Sequence, residues 1–213
     1  MTPSIRIWGR PAAPNVQKVL WCADELGIVY ERIDAGQHFG VVDTEAYRAL
    51  NPNGRIPTLE DGGTVLWESN VIVRYLCAQY GMSGLCPADV RRRAGIEQWM
   101  DWQAATLYYP AFRTFYIAHT RTAPEQRDAP QLKRLYDEIV SNLRILEAHL
   151  GNREYVGGRD LTMGDIPIGV VLDKWMRLDI ERPSMPALER YYERLDARPA
   201  YQRRVSAYAV DAV

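Results

Sequence analysis

The sequence has no surplus of charge of either sign: 26 Lys and Arg stand against 27 Asp and Glu, for a net charge of −1. Nucleic-acid binding draws on a basic excess that neutralises phosphates, so that partner class is not expected. The short run Arg91-Arg-Arg93 reads as a solvated helix face. No stretch approaches the ~18 consecutive apolar residues of a membrane span, and no membrane partner is expected. The N-terminal Met1-Thr-Pro-Ser-Ile-Arg6 lacks the basic start and apolar stretch of a signal peptide, which fits a cytoplasmic location.

Reactive and metal-binding groups are sparse as well. The 3 cysteines, Cys22, Cys77 and Cys86, are odd in number and show no Cys-x-x-Cys spacing, which argues against a disulfide framework and a zinc site. Cys22 and Cys77 fall inside helical patterns and read as small core residues. The 3 histidines, His38, His119 and His149, share no ligand spacing, so no metal is expected. Gly-x-Gly-x-x-Gly, a phosphate-loop lysine and Gly-x-Ser-x-Gly are all missing. The chain brings no strong nucleophile of its own.

What is present is enough for one large core or two modest ones: 213 residues, 47% hydrophobic. Ile5-Arg-Ile-Trp8 alternates as a strand does, and Gly9 to Pro14 breaks it. Val16, Val19, Leu20, Ala23 and Leu26 give residues 15–26 a helical stripe, with Pro14 suited to the first helical position and Gly27 as the stop. Residues 30–34 form a second strand and 35–43 a loop. A short helix covers 44–50. The strands 58–60 and 65–67 join through the Asp61-Gly-Gly63 turn, and 70–80 is helical. Residues 81–88 make a linker, after which strand signals vanish. Helices are expected over 89–118 with a kink near Pro110, over 128–150, over 166–176 behind a Thr162-Met-Gly-Asp165 capping box, from Ser184 to about 197, and from Pro199. The fold class is therefore α/β followed by all-α, with a first domain over 1–81 and a helical domain over 89–213.

One stretch carries the chemistry. Asn51-Pro-Asn-Gly-Arg-Ile-Pro-Thr-Leu reads as a tight turn into a strand, with Ile56-Pro57 a candidate cis bond. Trp67-Glu-Ser-Asn70 reads as a strand ending on an acidic residue and a hydroxyl that open a helix. Ligands of open α/β sheets bind at the carboxyl ends of strands, and the end of the first strand, this turn and this helix start can meet there. Main-chain groups at Ile56, a carboxylate at Glu68 and helix-start N–H groups at Ser69 suit a small zwitterionic peptide.

On these residues, Asn51 to Leu59, Glu68-Ser69-Asn70 with Ile72 and Tyr75-Leu76, and Leu161-Thr-Met-Gly-Asp-Ile166, the sequence resembles the cytosolic glutathione transferase family over essentially its whole length. The resemblance implies a thioredoxin-like N-terminal domain, a helical-bundle C-terminal domain and a homodimer. It also implies glutathione as co-substrate, supplying the nucleophile that the chain lacks. Carried over by position, Ile56 pairs its main chain with the cysteinyl part of glutathione and Pro57 is cis. Glu68 lies near the γ-glutamyl ammonium and Ser69 at its carboxylate. His38 is the first candidate for the glycyl carboxylate, ahead of Gln37 and Arg55. Thr162 and Asp165 match the family's folding signature and are not site residues.

The activating position departs from the pattern. The segment Ala12-Ala13-Pro14-Asn15 is similar to bacterial, theta- or nu-like members that place Thr-Pro-Asn here, with Ala13 in place of the threonine. Asn15 is then the candidate catalytic residue, its amide donating to the glutathione sulfur. A plain helix-start role for Asn15 stands beside that reading. Of Trp99, Trp102, Tyr108, Tyr109, Phe112, Phe115 and Tyr116, most are expected in the core and the rest around an apolar second-substrate pocket. Lys18 is expected exposed or paired on its helix, and Arg10 near glutathione or in a surface ion pair. The leading function is glutathione transfer to a small electrophile. Glutathione-dependent reduction of small disulfides and a non-catalytic binding role are the alternatives.

Overall fold

A computed structural model describes residues 5–81 and 84–208. The expected domain ends at 1–4 and 209–213, and linker residues 82 and 83, lie outside that description. The first half is a four-stranded sheet in the order β2-β1-β3-β4, built from β1 (Ile5–Trp8), β2 (Glu31–Ile33), β3 (Thr58–Asp61) and β4 (Thr64–Trp67). β1 runs parallel to β2 and antiparallel to β3, which pairs antiparallel with β4. The helix α1 (Pro14–Glu25) supplies the crossover that the parallel pair requires. In the β3–β4 hairpin, Asp61 faces Thr64 across a two-residue loop of Gly62 and Gly63. Both glycines have positive φ (54° and 91°), the conformation of a turn that matches strand twist. The strands are thus one residue longer at the turn than the sequence pattern suggests.

The short α2 (Glu45–Leu50) is capped by Thr44, whose hydroxyl accepts from Tyr47 N–H at 3.2 Å. α3 (Ser69–Tyr80) closes the first half. Beyond it come α4 (Val90–Trp102), α5 (Arg113–Arg121), α6 (Ala129–Leu150), α7 (Asp165–Arg177), α8 (Pro186–Asp196) and the short α9 (Pro199–Tyr201). The spacing in α6 delivers its core face: Leu135, Ile139, Leu143, Leu146 and Leu150 are all buried, and Gly151, with φ of 40°, ends the helix. Asp89 and Asp128 cap α4 and α6 by accepting from Arg92 and Gln131 N–H.

Two features differ from the expected pattern. Residues 103–112 form a π-helical stretch between α4 and α5, where the pattern suggested a kinked α-helix. Pro110 has no N–H to give, and the Arg113 N–H reaches back five residues to the Tyr108 carbonyl. The second difference is α1, which is buried on nearly all sides from Val16 to Ala23 rather than along one stripe. It packs against α3 of the first half and against α7 and α9 of the second. A Cβ at Gly169 of α7 would lie 2.9 Å from the Trp21 ring, so only glycine lets the two helices approach this closely. Trp21 also meets Tyr201 edge-on at 4.8 Å. The far end of α1 is held by Arg198 on Glu25 (2.8 and 2.7 Å) and by Arg204 on Asp24 (2.9 Å).

Asp165 is wholly buried and accepts from Thr162 N–H and Oγ1, Val156 N–H and Tyr191 Oη, all at 2.8 to 2.9 Å. Burial pushes its carboxyl up to about 6, against the pull of these donors. The expected box is only half reciprocal, because the Thr162 hydroxyl donates to the carboxylate. Cys22 and Cys77 are buried with free thiols.

Candidate functional site

Strand register brings the site together. Trp8 pairs with Thr58, and Thr58 with Trp67, so the next residues outward, Gly9, Pro57 and Glu68, meet at one edge of the sheet. A cavity of about 580 Å³ opens there, within the ~300–1,000 Å³ usual for small-molecule sites. Asn15, Ile56, Pro57, Glu68 and Ser69 all line it, as do Arg10, Gln37, Arg55, Tyr108, Tyr109 and Arg113. His38 is not among the lining residues: it is exposed on a 3₁₀ turn (Gln37–Phe39) and packs on Phe39 at 3.9 Å. The structure thus puts Gln37 and Arg55, the lesser candidates, on the wall where His38 was expected first.

The Ile56–Pro57 bond is cis. Its approach is fixed by a small polar network under the turn. Asn51 is 2% exposed, and its Nδ2 donates to the Arg55 carbonyl (2.7 Å) and Thr58 Oγ1 (3.2 Å) while its Oδ1 accepts from Asn53 N–H (3.1 Å). The Tyr47 hydroxyl donates to the same Arg55 carbonyl at 2.7 Å. On the opposite side Gly9 has φ of 146°, and a Cβ there would lie 2.5 Å from Val16 and 3.3 Å from Ile56. Glycine is required for β1 to pass this close to the turn.

Glu68 takes φ of 71°. A non-glycine residue pays about 1–3 kcal/mol for such a conformation, which persists where the surroundings hold it and is concentrated at functional sites. Its side chain caps nothing and is exposed, leaving the carboxylate available on the cavity wall. Ser69 starts α3 behind it and is buried. α3 and α1 both direct their N-termini toward the cavity edge, where helix dipoles favour negative charge.

At the start of α1, Ala13 is the N-cap and makes no side-chain cap. Its methyl is buried in the core. Asn15 is half-buried, and its amide has no hydrogen-bond partner among the described residues.

Lys18, one turn on, is not on an exposed face. It is 3% exposed, donates to Gln103 Oε1 at 3.2 Å and Asn70 Oδ1 at 3.4 Å, and lies 5.7 Å from the centre of the Tyr108 ring. Burial lowers its ammonium to about 7, and the Glu68 charge pulls it back upward. The reason for its burial is tertiary: residue 103 belongs to the π-helical stretch, which no local pattern places over α1. Arg113 was missed for the same reason. The aromatic run divides as expected in kind: Trp99, Phe112, Phe115 and Tyr116 are buried, whereas Tyr109 is 51% exposed and Tyr108 half-buried on the cavity wall. No cluster of His, Cys, Asp and Glu suited to a metal occurs among the described residues.

Comparison with known proteins gives a consistent result. Residues 12–79 match the model of the glutathione S-transferase N-terminal domain, and 103–199 that of the C-terminal domain. Glutathione S-transferase GstB of Escherichia coli (strain K12) is 38% identical over 203 residues, covering 94% of this chain and 97% of that protein. The glutathione-bound crystal structure of a theta class glutathione S-transferase from Xanthomonas axonopodis pv. citri has a TM-score of 0.92 at 45% identity, covering 98% of this chain and 100% of that one. Glutathione S-transferase 3 of Zea mays is 29% identical over 216 residues, 95% of this chain and 94% of that protein.

Proposed function

The chain belongs to the glutathione S-transferase family, and from that premise we propose that it binds glutathione in the 580 Å³ cavity and transfers it, as thiolate, to an electrophilic carbon. The observation that carries this reading is the meeting of Asn15, Ile56 and Glu68-Ser69 on one cavity wall. In it, Ile56 holds the cysteinyl main chain as a sheet edge holds an added strand. Glu68 faces the ammonium and the start of α3 the γ-glutamyl carboxylate. Gln37 and Arg55 are assigned to the glycyl carboxylate.

Asn15 and the α1 N-terminus then stabilise the sulfur. A free thiol has a pKa of about 8.5 and falls by one or more units at a helix N-terminus. Each unit favours the thiolate by about 1.4 kcal/mol, and holding the electrophile beside it adds a proximity gain. Titration calorimetry with glutathione, followed by turnover of 1-chloro-2,4-dinitrobenzene, tests the reading. Saturable binding and catalysed conjugation are expected; absence of both overturns it.

A second reading is glutathione-dependent reduction of small disulfides. What favours it is Ala13, whose buried methyl leaves the start of α1 without a side-chain hydroxyl. The chain's thiols at Cys22, Cys77 and Cys86 are buried, so both reducing equivalents come from glutathione. Turnover on hydroxyethyl disulfide exceeding that on the chlorinated aromatic would select this reading.

A further inference from the structure

The chain has 3 lysines, and two of them rest on carboxylates. Lys133 pairs with Asp137 on the surface and Lys174 with Asp173 in the interior. Lys18 is different: it is buried, and it donates to two neutral amides, Gln103 Oε1 at 3.2 Å and Asn70 Oδ1 at 3.4 Å. Three elements meet at it. Lys18 lies one turn behind Asn15 on α1, Asn70 follows Ser69 at the start of α3, and Gln103 opens the π-helical stretch that carries Tyr108 and Tyr109 to the cavity wall.

Holding these elements together does not require a charge. Asn70 is already fastened to α4 through its Nδ2, which donates to the Met100 carbonyl at 2.8 Å. Gln103 Nε2 is buried with no hydrogen bond among the described residues, so the cluster is not closed around the ammonium. A buried ammonium works against folding, and burial draws this one down to about 7. The carboxylate that opposes this is Glu68 at the cavity corner, whose charge draws the ammonium back upward. The other groups facing Lys18 do not take that part. Tyr108 offers the face of its ring at 5.7 Å, and Asp101, beside Met100 on α4, is exposed and engaged by Arg74 at 2.5 Å. Glutathione seated as proposed places its ammonium on Glu68 and its γ-glutamyl carboxylate at the start of α3, next to Asn70. It withdraws the counter-charge of Lys18 and brings another.

We propose that Lys18 is a positioning residue of the glutathione site: acting through Asn70, its ammonium is the positive charge beneath the corner where the γ-glutamyl carboxylate seats. This rests on the glutathione reading and adds to it a residue that lies behind the cavity wall. Binding of the carboxylate then favours the protonated lysine, so affinity is linked to its proton.

The test uses the whole chain and S-methylglutathione, which cannot form a thiolate. Failure of the wild type to bind this ligand overturns the glutathione reading and the proposal with it. Where it binds, calorimetry at pH 6 compares wild type, Lys18→Met and Lys18→Arg on S-methylglutathione and on its analogue with the γ-glutamyl carboxylate replaced by a carboxamide. We expect Lys18→Met to weaken S-methylglutathione roughly tenfold or more, and Lys18→Arg to recover part of the loss. The carboxamide should bind wild type about as weakly, and Lys18→Met should weaken it little further, because a cation and a carboxylate that act as one pair give non-additive losses. In the wild type, affinity for S-methylglutathione should fall severalfold from pH 6 to pH 8, since the complex keeps a proton that the free protein gives up; both variants should lose that slope. Additive losses, or the same slope in all three proteins, assign Lys18 to the scaffold and overturn the proposal while leaving glutathione binding intact. A wild type with no slope over this range overturns it without recourse to any variant.

Discussion

The Tyr47 hydroxyl and the Asn51 amide both donate to the carbonyl oxygen of Arg55, at 2.7 Å each, immediately before the Ile56–Pro57 turn. The turn is therefore held from beneath by buried side chains that do not themselves need to touch a ligand.

Asn51→Ala removes one of the two donors on that carbonyl and the acceptor of Asn53 N–H, and leaves the Thr58 hydroxyl with Tyr47 alone. Each lost buried hydrogen bond costs about 1–3 kcal/mol when a partner is stranded. We expect a loss of ~2–4 kcal/mol in urea unfolding and a glutathione affinity at least tenfold weaker. Tyr47→Phe, which leaves Asn51 on the carbonyl, should cost roughly 1 kcal/mol. Unchanged affinity in Asn51→Ala would separate the network from the site.

Glu68 combines an unfavourable backbone with a carboxylate on the cavity wall. Glu68→Gly relieves the backbone and removes the charge, so stability should hold or rise by up to ~1 kcal/mol while glutathione affinity falls tenfold or more. Glu68→Gln keeps the strain and should show the affinity loss alone. Thermal unfolding and calorimetry on both variants give the comparison.

Lys18 gives a pH dependence with a definite sign. Its folded-state value of about 7 lies below the unfolded lysine value of ~10.4, so between these limits the unfolded chain binds more protons and stability from this group rises with pH. Lys18→Met has no such term. Relative to wild type the variant should therefore be at its best at pH 7 and below, and should lose ground steadily toward pH 10. A difference in melting temperature that is flat over this window would show that burial of the ammonium is tolerated without cost.

Asp165 accepts from four donors, and an alanine variant removes the acceptor of all four. Asp165→Ala should destabilise by ~3–5 kcal/mol, the scale of a broken buried polar network, with glutathione affinity in the remaining folded fraction retained. Asp165→Asn should fall between, because its amide nitrogen meets a donor. Loss of affinity without loss of stability would move Asp165 from scaffold to site.

At the start of α1 two substitutions divide structure from chemistry. Asn15→Ala breaks no hydrogen bond among the described residues, so unfolding should change by less than ~0.5 kcal/mol while kcat falls about tenfold at kept glutathione affinity. Ala13→Ser gives α1 the side-chain cap it lacks and should stabilise by ~0.5–1 kcal/mol. Turnover of Ala13→Ser, measured in the same preparation, shows whether a hydroxyl here also reaches the sulfur: a rise argues that its loss limits the rate, and no rise argues that Asn15 and the backbone suffice.

Local signals carried the first half well. Alternation gave β1, glycine pairs gave the hairpin, and the stretches Asn51 to Leu59 and Glu68-Ser69 contain Ile56, Pro57, Glu68 and Ser69, which line the 580 Å³ cavity. Elements in this half are short and adjacent in sequence, so turn chemistry largely decides them. His38 fell outside because its backbone path depends on Gln37, whose φ of 51° no pattern announces. Lys18, Arg113 and the π-helical stretch escaped for a different reason. Each acquires its environment from a segment far along the chain, as the Lys18–Gln103 bond across 85 positions illustrates. Periodicity reads one helix at a time and is silent on which second helix will cover it.

The position of α1 has a consequence for how the molecule can be taken apart. Its N-terminus borders the cavity, its middle is pressed on Gly169, and its last turn is clasped by Arg198 and Arg204. One helix is thus a shared wall of both halves, and a chain cut between α3 and α4 would leave the N-terminal piece with Trp21 and a bare apolar flank in water. The helical half is thus the mould in which the first half keeps its shape, and through Tyr108, Tyr109 and Arg113 it also walls the cavity.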